Sequence, residues 1–265
     1  MRTSLFFDIE TVVDPDLARE VLGEPGISDD DALRRVAPPH SEGEPHGFPK
    51  PLYHRVIAIS VALVGKDGVA EHLKPLGTET TDERALLGEF LTGLKAHVSD
   101  RLVTFNGHSF DIPVVVHRSL LHTLSPGPLL QRAYRYRFGE DHIDMMDFLS
   151  NYRAFGSLSQ HEMAAMLGVP GKIGKSGADV GSLWSRGQIG ELRAYGTCDV
   201  ATLALAFARL GPHAGWCRPE EATALEASVA SKIADLEAGG DALYSAFLQA
   251  LQARREAAGA GPSTA

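Results

Sequence analysis

Residues 5–11 read LFFDIET, an apolar run that passes directly into two carboxylates. Side chains alternate between the two faces of an extended strand, so Asp8 and Glu10 share one face while Ile9 lies on the other. Two acids on one face repel each other and resist desolvation unless a cation lies between them. Carboxylate oxygens are the ligands that hard divalent cations prefer. The strand therefore predicts a metal site where it ends.

Length and charge restrict the class of protein. At 265 residues the chain can bury a good core, as one large domain or one domain with a helical appendage. Its formal net charge of −9 argues against a protein that coats nucleic acid non-specifically, because such proteins carry broad basic surfaces. A nuclease that holds a few nucleotides through bound metal ions remains compatible with this charge.

The chain contains two cysteines, Cys198 and Cys217, whose spacing fits neither a zinc cluster nor a disulfide framework. The apolar run after Arg2 is broken by Asp8, which argues against a signal peptide, and no stretch approaches the roughly 20 apolar residues of a membrane span. We therefore expect a soluble, cytoplasmic protein without a membrane partner.

Hydrophobic periodicity predicts an α/β architecture, because strand and helix patterns alternate. A long insertion rich in Pro, Gly and acids follows the first strand, at 14–52, with one short helix predicted at 29–36. A helix is predicted from Thr80 onward, with Thr80 and Glu83 as a capping box. The predicted strands after the insertion are 55–64, 69–73 and 101–105. The further predicted helices begin near residue 109 and then cover 129–136, 144–152, 158–167, 189–210, 220–237 and 242–255.

Two later segments place acids at positions suited to a shared site. Asp111 follows the strand 101–105 at the start of a helix, where a cap that satisfies free amides is an equally good explanation. Tyr195 and Asp199 are four residues apart on a predicted helix, so both face the same point, although such a pair is also common on surface helices.

Taken together, these three sites resemble the pattern of the DEDD 3′-to-5′ exonucleases, in the variety with tyrosine in the third motif. More narrowly, the chain resembles bacterial exonucleases related to the proofreading domain of family B DNA polymerases. Cys198 departs from the acidic residue expected beside the last aspartate. The closer resemblance covers residues 3–210 and rests on further motifs, namely RVIAIS at 55–60, FNG at 105–107, HIDMMD at 142–147 and the segment from Gly171-Lys172 to GADV at 177–180.

The resemblance implies an RNase H-like (DnaQ-like) α/β fold, with a mixed central sheet flanked by helices around a metal cleft. It assigns residues 1–213 to the exonuclease domain, including the 14–52 insertion. The match does not explain the helical extension at 214–256. Residues 257–265 are predicted to form a disordered tail.

The resemblance also implies a two-metal mechanism with Mg²⁺ or Mn²⁺. Asp8 would bridge both ions, Glu10 and Asp199 would complete one site, and Asp111 would hold the second ion largely through water. Tyr195 would orient the attacking water, because a phenol with an ordinary pKa of about 10 is a poor base at neutral pH.

The remaining candidates for binding substrate are Ile9, Thr11, Asn106, Phe110 and Lys172. Asn106 and Thr11 are candidates for contacting the terminal nucleotide, and aromatic or apolar stacking on a base is tolerant of sequence. Core packing explains Ile9 and Phe110 equally well, and a solvated loop explains Lys172.

Neighbouring charged residues have less specific explanations. Lys175, near Lys172, is a second candidate for a phosphate contact. His54 and His108 could line the cleft, although ordinary roles fit them better, and helix capping accounts for Asp144 and Asp147.

The principal functional hypothesis is removal of nucleotides from the 3′ end of single-stranded DNA, with nucleoside monophosphates as products. An exoribonuclease with the same mechanism is the alternative, since contacts with the 2′-hydroxyl group decide between RNA and DNA. A non-catalytic module that binds nucleic acid, or a polymerase or repair partner, would have lost acids that this chain retains.

Overall fold

The computed structural model describes residues 1–39, 46–97, 101–154, 156–174 and 177–259. Its centre is a five-stranded sheet in the order β3-β2-β1-β4-β5. Strand β1 pairs antiparallel with β2 and parallel with β4, so the sheet is mixed, as predicted. The strands are β1 Ser4–Val13, β2 His54–Val64, β3 Ala70–Pro75, β4 Arg101–Thr104 and β5 His142–Asp144.

Helices cover both faces of this sheet, consistent with an RNase H-like α/β fold. They are α1 Pro15–Leu22, α2 Asp29–Val36, α3 Glu83–Ala96, α4 Asp111–Leu121, α5 Arg132–Arg135, α6 Met145–Leu149, α7 Gln160–Leu167, α8 Val180–Ser185, α9 Ile189–Ala214, α10 Pro219–Glu237 and α11 Ala242–Gly259, with short 3₁₀ turns at Pro51–Tyr53, Gly127–Leu130 and Gly177–Asp179.

Strand β1 shows the predicted alternation. Phe6 packs edge-on against Phe207 of α9, with ring centroids 5.3 Å apart, on the face that also carries Asp8 and Glu10. Phe7 packs on the opposite face against Phe90 of α3, at 4.9 Å. Both phenylalanines of β1 are fully buried. Burial of such a side chain stabilises the fold by about 1.5–3 kcal/mol, which fixes the register of the strand and therefore the face of its acids.

Several local predictions were wrong. The 14–52 insertion contains a second helix, α1, which begins after the N-cap Asp14 with Pro15 in its first turn. Strand β5 and the short helix α6 replace the helix predicted at 144–152, because the parallel pairing of β5 with β4 determines this segment. A 3₁₀ turn and the single turn α5 replace the helix predicted at 129–136, and α8 was not predicted.

The capping box predicted for Thr80 and Glu83 was also wrong. Asp82 caps α3, accepting a hydrogen bond from the amide of Ala85 at 2.8 Å. The carboxylate of Glu83 instead accepts hydrogen bonds from the guanidinium of Arg118 on α4. A charged donor is a stronger partner for a carboxylate than the amide of an N-cap residue.

The C-terminal helices pack directly against α9. Phe207 shares one apolar cluster with Val229 of α10 and Phe247 of α11. Helix α9 continues past the predicted end at 210 with Pro212 in its last turn. Helix α11 ends at Gly259 and so includes the first residues of the predicted tail, while 260–265 lie outside the described residues. Within the described chain no helix combines the length and apolarity of a membrane span.

Candidate active site

Three carboxylates converge between β1 and α9. Ligand oxygens of Asp8, Glu10 and Asp199 all lie within 4.8 Å of one another. Glu10 and Asp199 are buried, at 7% and 8% exposure, and Asp8 is partly exposed. The predicted strand pair and the last predicted aspartate are therefore brought into one group.

Local backbone features allow α9 to approach the strand. Gly196, one turn from Asp199, lies where a Cβ atom would be 3.4 Å from Oε1 of Glu10 and 3.2 Å from Oγ of Ser60. On the strand side the register with β2 shifts between Glu10 and Thr11, which is a β-bulge. Bulges redirect side chains near functional sites, and this one directly follows the second acid.

The strand acids are electrostatically unsatisfied. Burial raises the pKa of Asp8 well above its usual value, and the nearby charges of Asp111, Glu10 and Asp199 raise it further. Burial and the same kind of repulsion raise the pKa of Glu10. No described residue donates a hydrogen bond or ion pair to either side chain, although exposed Lys172 lowers both pKa values through its charge. Burial, mutual repulsion and the lack of an ion pair within the described residues fit a bound divalent ion.

Asp111 lies beside this group, at the first residue of α4. Its Oδ1 accepts a hydrogen bond from the amide of Ile9 at 3.2 Å, which ties the start of α4 to the middle of β1. Burial raises the pKa of Asp111 to about 7, and the charge of Asp144 contributes. Phe110 occupies the N-cap position of α4 without a side-chain cap.

Helix α9 presents Tyr195 and Asp199 to the site together. Burial raises the pKa of Asp199 to about 6, while the charge of Lys172 and a hydrogen bond from the Tyr195 hydroxyl lower it. Burial and the charges of the three acids raise the pKa of Tyr195 far above its usual value. The phenol therefore stays protonated at neutral pH and acts as a hydrogen-bond donor. Lys175, the other predicted basic contact, lies outside the described residues.

A cavity of about 560 Å³ adjoins the carboxylates and includes Glu10 in its wall. Ile9, Thr11 and Phe110 line it, so these three predicted substrate contacts lie together. Ile9 is only 6% exposed and also packs in the core, so it both lines the cavity and contributes to core packing.

The insertion supplies a wall of this cavity that the sequence analysis missed. Phe48 is 74% exposed, and its ring lies 5.1 Å from that of His54 and 5.5 Å from that of Phe110. His54 donates to the carbonyl of Pro49, which leaves Nδ1 to accept the hydroxyl of Thr11 at 2.9 Å. The isolated Phe-Pro pair inside a polar insertion was the available sequence signal.

Asn106 lies two residues after the end of β4 and has a left-handed conformation, with φ of 66°. Its amide donates to Oδ1 of Asp144 at 2.8 Å, and its side-chain oxygen accepts a hydrogen bond from Arg153. The side chain of this predicted substrate contact is thus held by Arg153, a residue that the sequence analysis did not single out.

A second group of possible ligands consists of His108, Asp144 and Asp147. Asp144 caps α6 as predicted, accepting the amides of Met146 and Asp147, and also accepts the amide of His108 at 3.0 Å. Asp147 is not a cap, because its oxygens accept hydrogen bonds from arginine side chains. Amides and guanidinium groups satisfy these two acids, so this group does not fit a metal site.

Comparisons with known proteins agree with this geometry. The model of a family described as predicted 3′-5′ exonucleases related to the exonuclease domain of PolB matches residues 46–251. The match includes Asp111, Tyr195 and Asp199, while Asp8 and Glu10 precede it. No protein of curated function matches the chain.

A similar solved structure is the family B DNA polymerase from the hyperthermophilic archaeon Pyrobaculum calidifontis, with a TM-score of 0.51 and 16% identity. The similarity covers 88% of this chain and 28% of the polymerase chain, and at this identity it supports the fold alone. Because the family model matches most of its length, the chain belongs to the family of predicted 3′-5′ exonucleases related to the exonuclease domain of PolB.

Proposed function

We propose that this exonuclease removes nucleotides from the 3′ end of single-stranded DNA by metal-dependent hydrolysis and releases nucleoside monophosphates. The observation that carries the proposal is the group formed by Asp8, Glu10 and Asp199, whose ligand oxygens lie within 4.8 Å of one another. Within the described residues the two strand acids form no ion pair. A buried anionic group of this kind is stable in its ionised form only with a bound cation.

Four carboxylates would hold two Mg²⁺ or Mn²⁺ ions in this proposal, since oxygen donors suit both metals. Asp8, Glu10 and Asp199 form the central group, and Asp111 adds a fourth acid from α4. Such ions, when bound, supply an activated water and stabilise negative charge on the phosphate and the leaving oxygen.

The residues of the chain have distinct roles around the scissile phosphate. Tyr195 stays protonated and donates a hydrogen bond, so we assign it to orienting the attacking water rather than to removing its proton. Lys172 is exposed and near enough to the acids to lower their pKa values, which suits a contact with a phosphate.

The aromatic cavity is the proposed site for the terminal nucleotide. The rings of Phe48 and Phe110 would stack on a base, which accommodates any of the four bases because each has a π face. Thr11 donates its hydroxyl hydrogen to His54, which leaves its oxygen lone pairs to accept a hydrogen bond from the nucleotide. Asn106 would contact the nucleotide outside this cavity, with its side chain fixed by Arg153.

We also assign residues 1–213, with the 14–52 insertion, to the catalytic unit. In this assignment 214–256 form an extension that supports α9, because Tyr244 of α11 is buried in the same apolar cluster as residues of α9. This arrangement would hold Tyr195 and Asp199 against β1.

The deciding experiment is digestion of a 5′-labelled single-stranded DNA with Mn²⁺, which is expected to give a ladder that shortens from the 3′ end. A matched RNA is digested in parallel, and Asp8→Asn serves as the control for a contaminating nuclease. Faster loss of the RNA would replace the DNA assignment by an exoribonuclease. No cleavage of either strand with any divalent ion would overturn the catalytic proposal.

A further inference from the structure

A second exposed surface, outside the carboxylate group, combines aromatic and basic side chains. We call it the arginine–aromatic surface and define it by Arg132, Arg135, Tyr136, Phe138 and Tyr152. It lies between the helix α5 and the turn that follows α6. None of these residues belongs to the carboxylate group or to the aromatic cavity beside Glu10.

The aromatic rings of this surface are exposed and adjacent. Tyr136, Phe138 and Tyr152 are 48%, 60% and 37% exposed. The ring of Phe138 lies 4.5 Å from that of Tyr152 and 6.1 Å from that of Tyr136. Contiguous exposed aromatic groups are uncommon on a surface that has no binding role, and their outer faces offer stacking positions.

The charge of the surface is opposite to that of the whole chain. Arg132 and Arg135 are exposed, and the described residues offer them no ion-pair partner, although Arg132 lies over the ring of Tyr136 at 5.5 Å. Among nearby acids, Asp141 pairs with Arg2, while Glu140 is exposed at the edge of the surface. In a protein of net charge −9, such a local excess of guanidinium groups is complementary to a polyanion.

A strained turn connects this surface to the candidate site. Asn151, Tyr152 and Arg153 have φ angles of 48°, 55° and 67°, a run of left-handed conformations that residues with a Cβ atom rarely adopt. The amide of Tyr152 donates to the carbonyl of Asp147 at 2.6 Å, which holds the turn. The result is that Tyr152 lies against Phe138 at the surface while Arg153 reaches the side chain of Asn106.

Two alternatives are weaker. A protein partner would also accept exposed rings and arginines, but two guanidinium groups without an ion-pair partner among the described residues favour a polyanion. A structural role for the turn would be to pack Tyr152 against Phe138, but this contact still leaves 37% of Tyr152 exposed to a ligand. Local strain is retained where a particular placement of side chains has a function.

We propose that the arginine–aromatic surface binds the single strand upstream of the nucleotide that occupies the active site. Bases stack on the outer faces of Phe138 and Tyr152, and phosphates contact Arg132 and Arg135. This inference rests on the proposed function, because it describes how the substrate of that site is held. It also explains how an acidic protein can bind a polyanion outside its metal cluster.

The test compares single-stranded DNA of 3 and 12 nucleotides, since only the longer strand extends beyond the active site. The ratio of kcat/KM for the 12-nucleotide strand to that for the 3-nucleotide strand is expected to fall about tenfold in Phe138→Ala, because loss of one stacked base weakens binding by about this factor. The ratio is expected to recover in Phe138→Trp. Leu121→Ala, at an exposed apolar residue of α4, is the matched control. An equal ratio in Phe138→Ala and Leu121→Ala would overturn the inference.

A second measurement is independent of cleavage. Binding of the 12-nucleotide strand is followed by fluorescence anisotropy in the inactive Asp8→Asn background, as a function of salt. Removing Arg132 and Arg135 together is expected to lower the slope of log Kd against log salt by about 1.4, because each phosphate contact on a single strand contributes about 0.7. Arg84→Ala, at an exposed arginine of α3, is expected to leave the slope unchanged.

The two failures can be distinguished. If the unmodified protein cleaves neither strand, the proposed function fails, and the anisotropy slopes still decide whether the surface binds nucleic acid. If it cleaves both strands and the arginine pair has no effect on the slope, the inference fails while the proposed function stands.

Discussion

One group of acids joins the middle of β1 to α9 and another lies at the end of β5, and the two groups differ in how their charge is satisfied. Asp144 accepts backbone amides, and Asp147 accepts the guanidinium groups of Arg137 and Arg153. Burial alone would raise the pKa of Asp144, but these hydrogen bonds hold it below its usual value. In the first group the pKa of Asp8 is raised, and no described residue donates a hydrogen bond or ion pair to its carboxylate.

This difference separates a structural acid from a candidate ligand. A carboxylate whose oxygens are filled by protein donors stabilises the fold and has no free lone pairs for a metal. Asp8 and Glu10 have such lone pairs and experience mutual repulsion, so the protein alone leaves their charge uncompensated. Geometry alone would not distinguish the two groups, because each brings its ligand atoms within 4.8 Å of one another.

The comparison is tested most strongly by Asp8→Asn. This change is expected to lower kcat by at least about 1,000-fold, because the amide removes an anionic ligand from the central group. The same variant is expected to have a higher Tm than the unmodified protein without metal, since it relieves repulsion with Glu10. Digestion of labelled DNA and thermal unfolding measure the two effects. Full activity of Asp8→Asn would contradict the assignment of this group.

The dependence of stability on pH is the next largest effect. The folded-state pKa values of Asp199 and Asp111 are raised to about 6 and about 7, above their unfolded values near 3.8. Their protonated forms therefore stabilise the metal-free protein at low pH, and this stability is lost as the pH rises through 6 and 7. The expected loss between pH 5 and 8 is about 4 kcal/mol in the free energy of unfolding, because the two groups together lose stability over about three pH units at about 1.4 kcal/mol each; urea denaturation with a chelator measures it.

Added Mn²⁺ is expected to reverse this loss, and to raise Tm more at pH 8 than at pH 5, because metal binds the ionised carboxylates. Asp199→Asn serves as the control and is expected to flatten the pH profile in part, because Asp111 still titrates. If the metal-free protein becomes more stable from pH 5 to 8, the conclusion that the charges of these acids are uncompensated without metal is wrong.

Asp147→Asn tests the satisfied group. Loss of the carboxylate charge is expected to destabilise the protein by about 2 kcal/mol, a value reduced for the partial exposure of Arg137 and Arg153. The Tm increase on adding Mn²⁺ is expected to remain as in the unmodified protein. Disappearance of that increase would place Asp147 among the metal ligands, and the comparison of the two groups would then be wrong.

Tyr195→Phe gives the smallest effect. Removing the hydroxyl is expected to lower kcat about tenfold with KM nearly unchanged, because the phenol orients a water without holding substrate. The pH dependence of kcat is expected to keep its shape, since Tyr195 stays protonated in the working range. Complete loss of activity in the variant would instead assign Tyr195 as a base. So would a rate that rises near the pKa of a phenol in the unmodified enzyme but not in Tyr195→Phe.

Patterns that depend on neighbouring residues in the chain predicted the structure well. The alternation of β1 correctly separated Phe6 and Phe7 onto different faces, since that pattern depends on local backbone geometry. The spacing of Tyr195 and Asp199 likewise predicted that both lie on the same face of a helix, because four residues make about one helical turn.

Contacts between distant segments were not predictable from one sequence. Glu83 looked like half of a capping box, but it binds Arg118 of α4. Arg153 donates a hydrogen bond to Asn106, 47 residues earlier in the sequence, and its neighbouring residues carry no pattern that predicts this bond. Strand β5 has three residues and exists because β4 offers a parallel edge, which no periodicity in so short a segment can reveal.

Gly196 lowers the stability of helix α9 but leaves space beside the acids of the candidate site. An alanine there would favour the helix by about 1 kcal/mol, yet its methyl group would enter the space beside Glu10 and Ser60. Glycine at this position therefore sacrifices part of the stability of α9 to keep room next to the acids. A relative with a larger residue at the equivalent position could keep the sheet, the helices and every carboxylate and still have a constricted site. The presence of the acids is therefore not sufficient to identify an active enzyme with this fold.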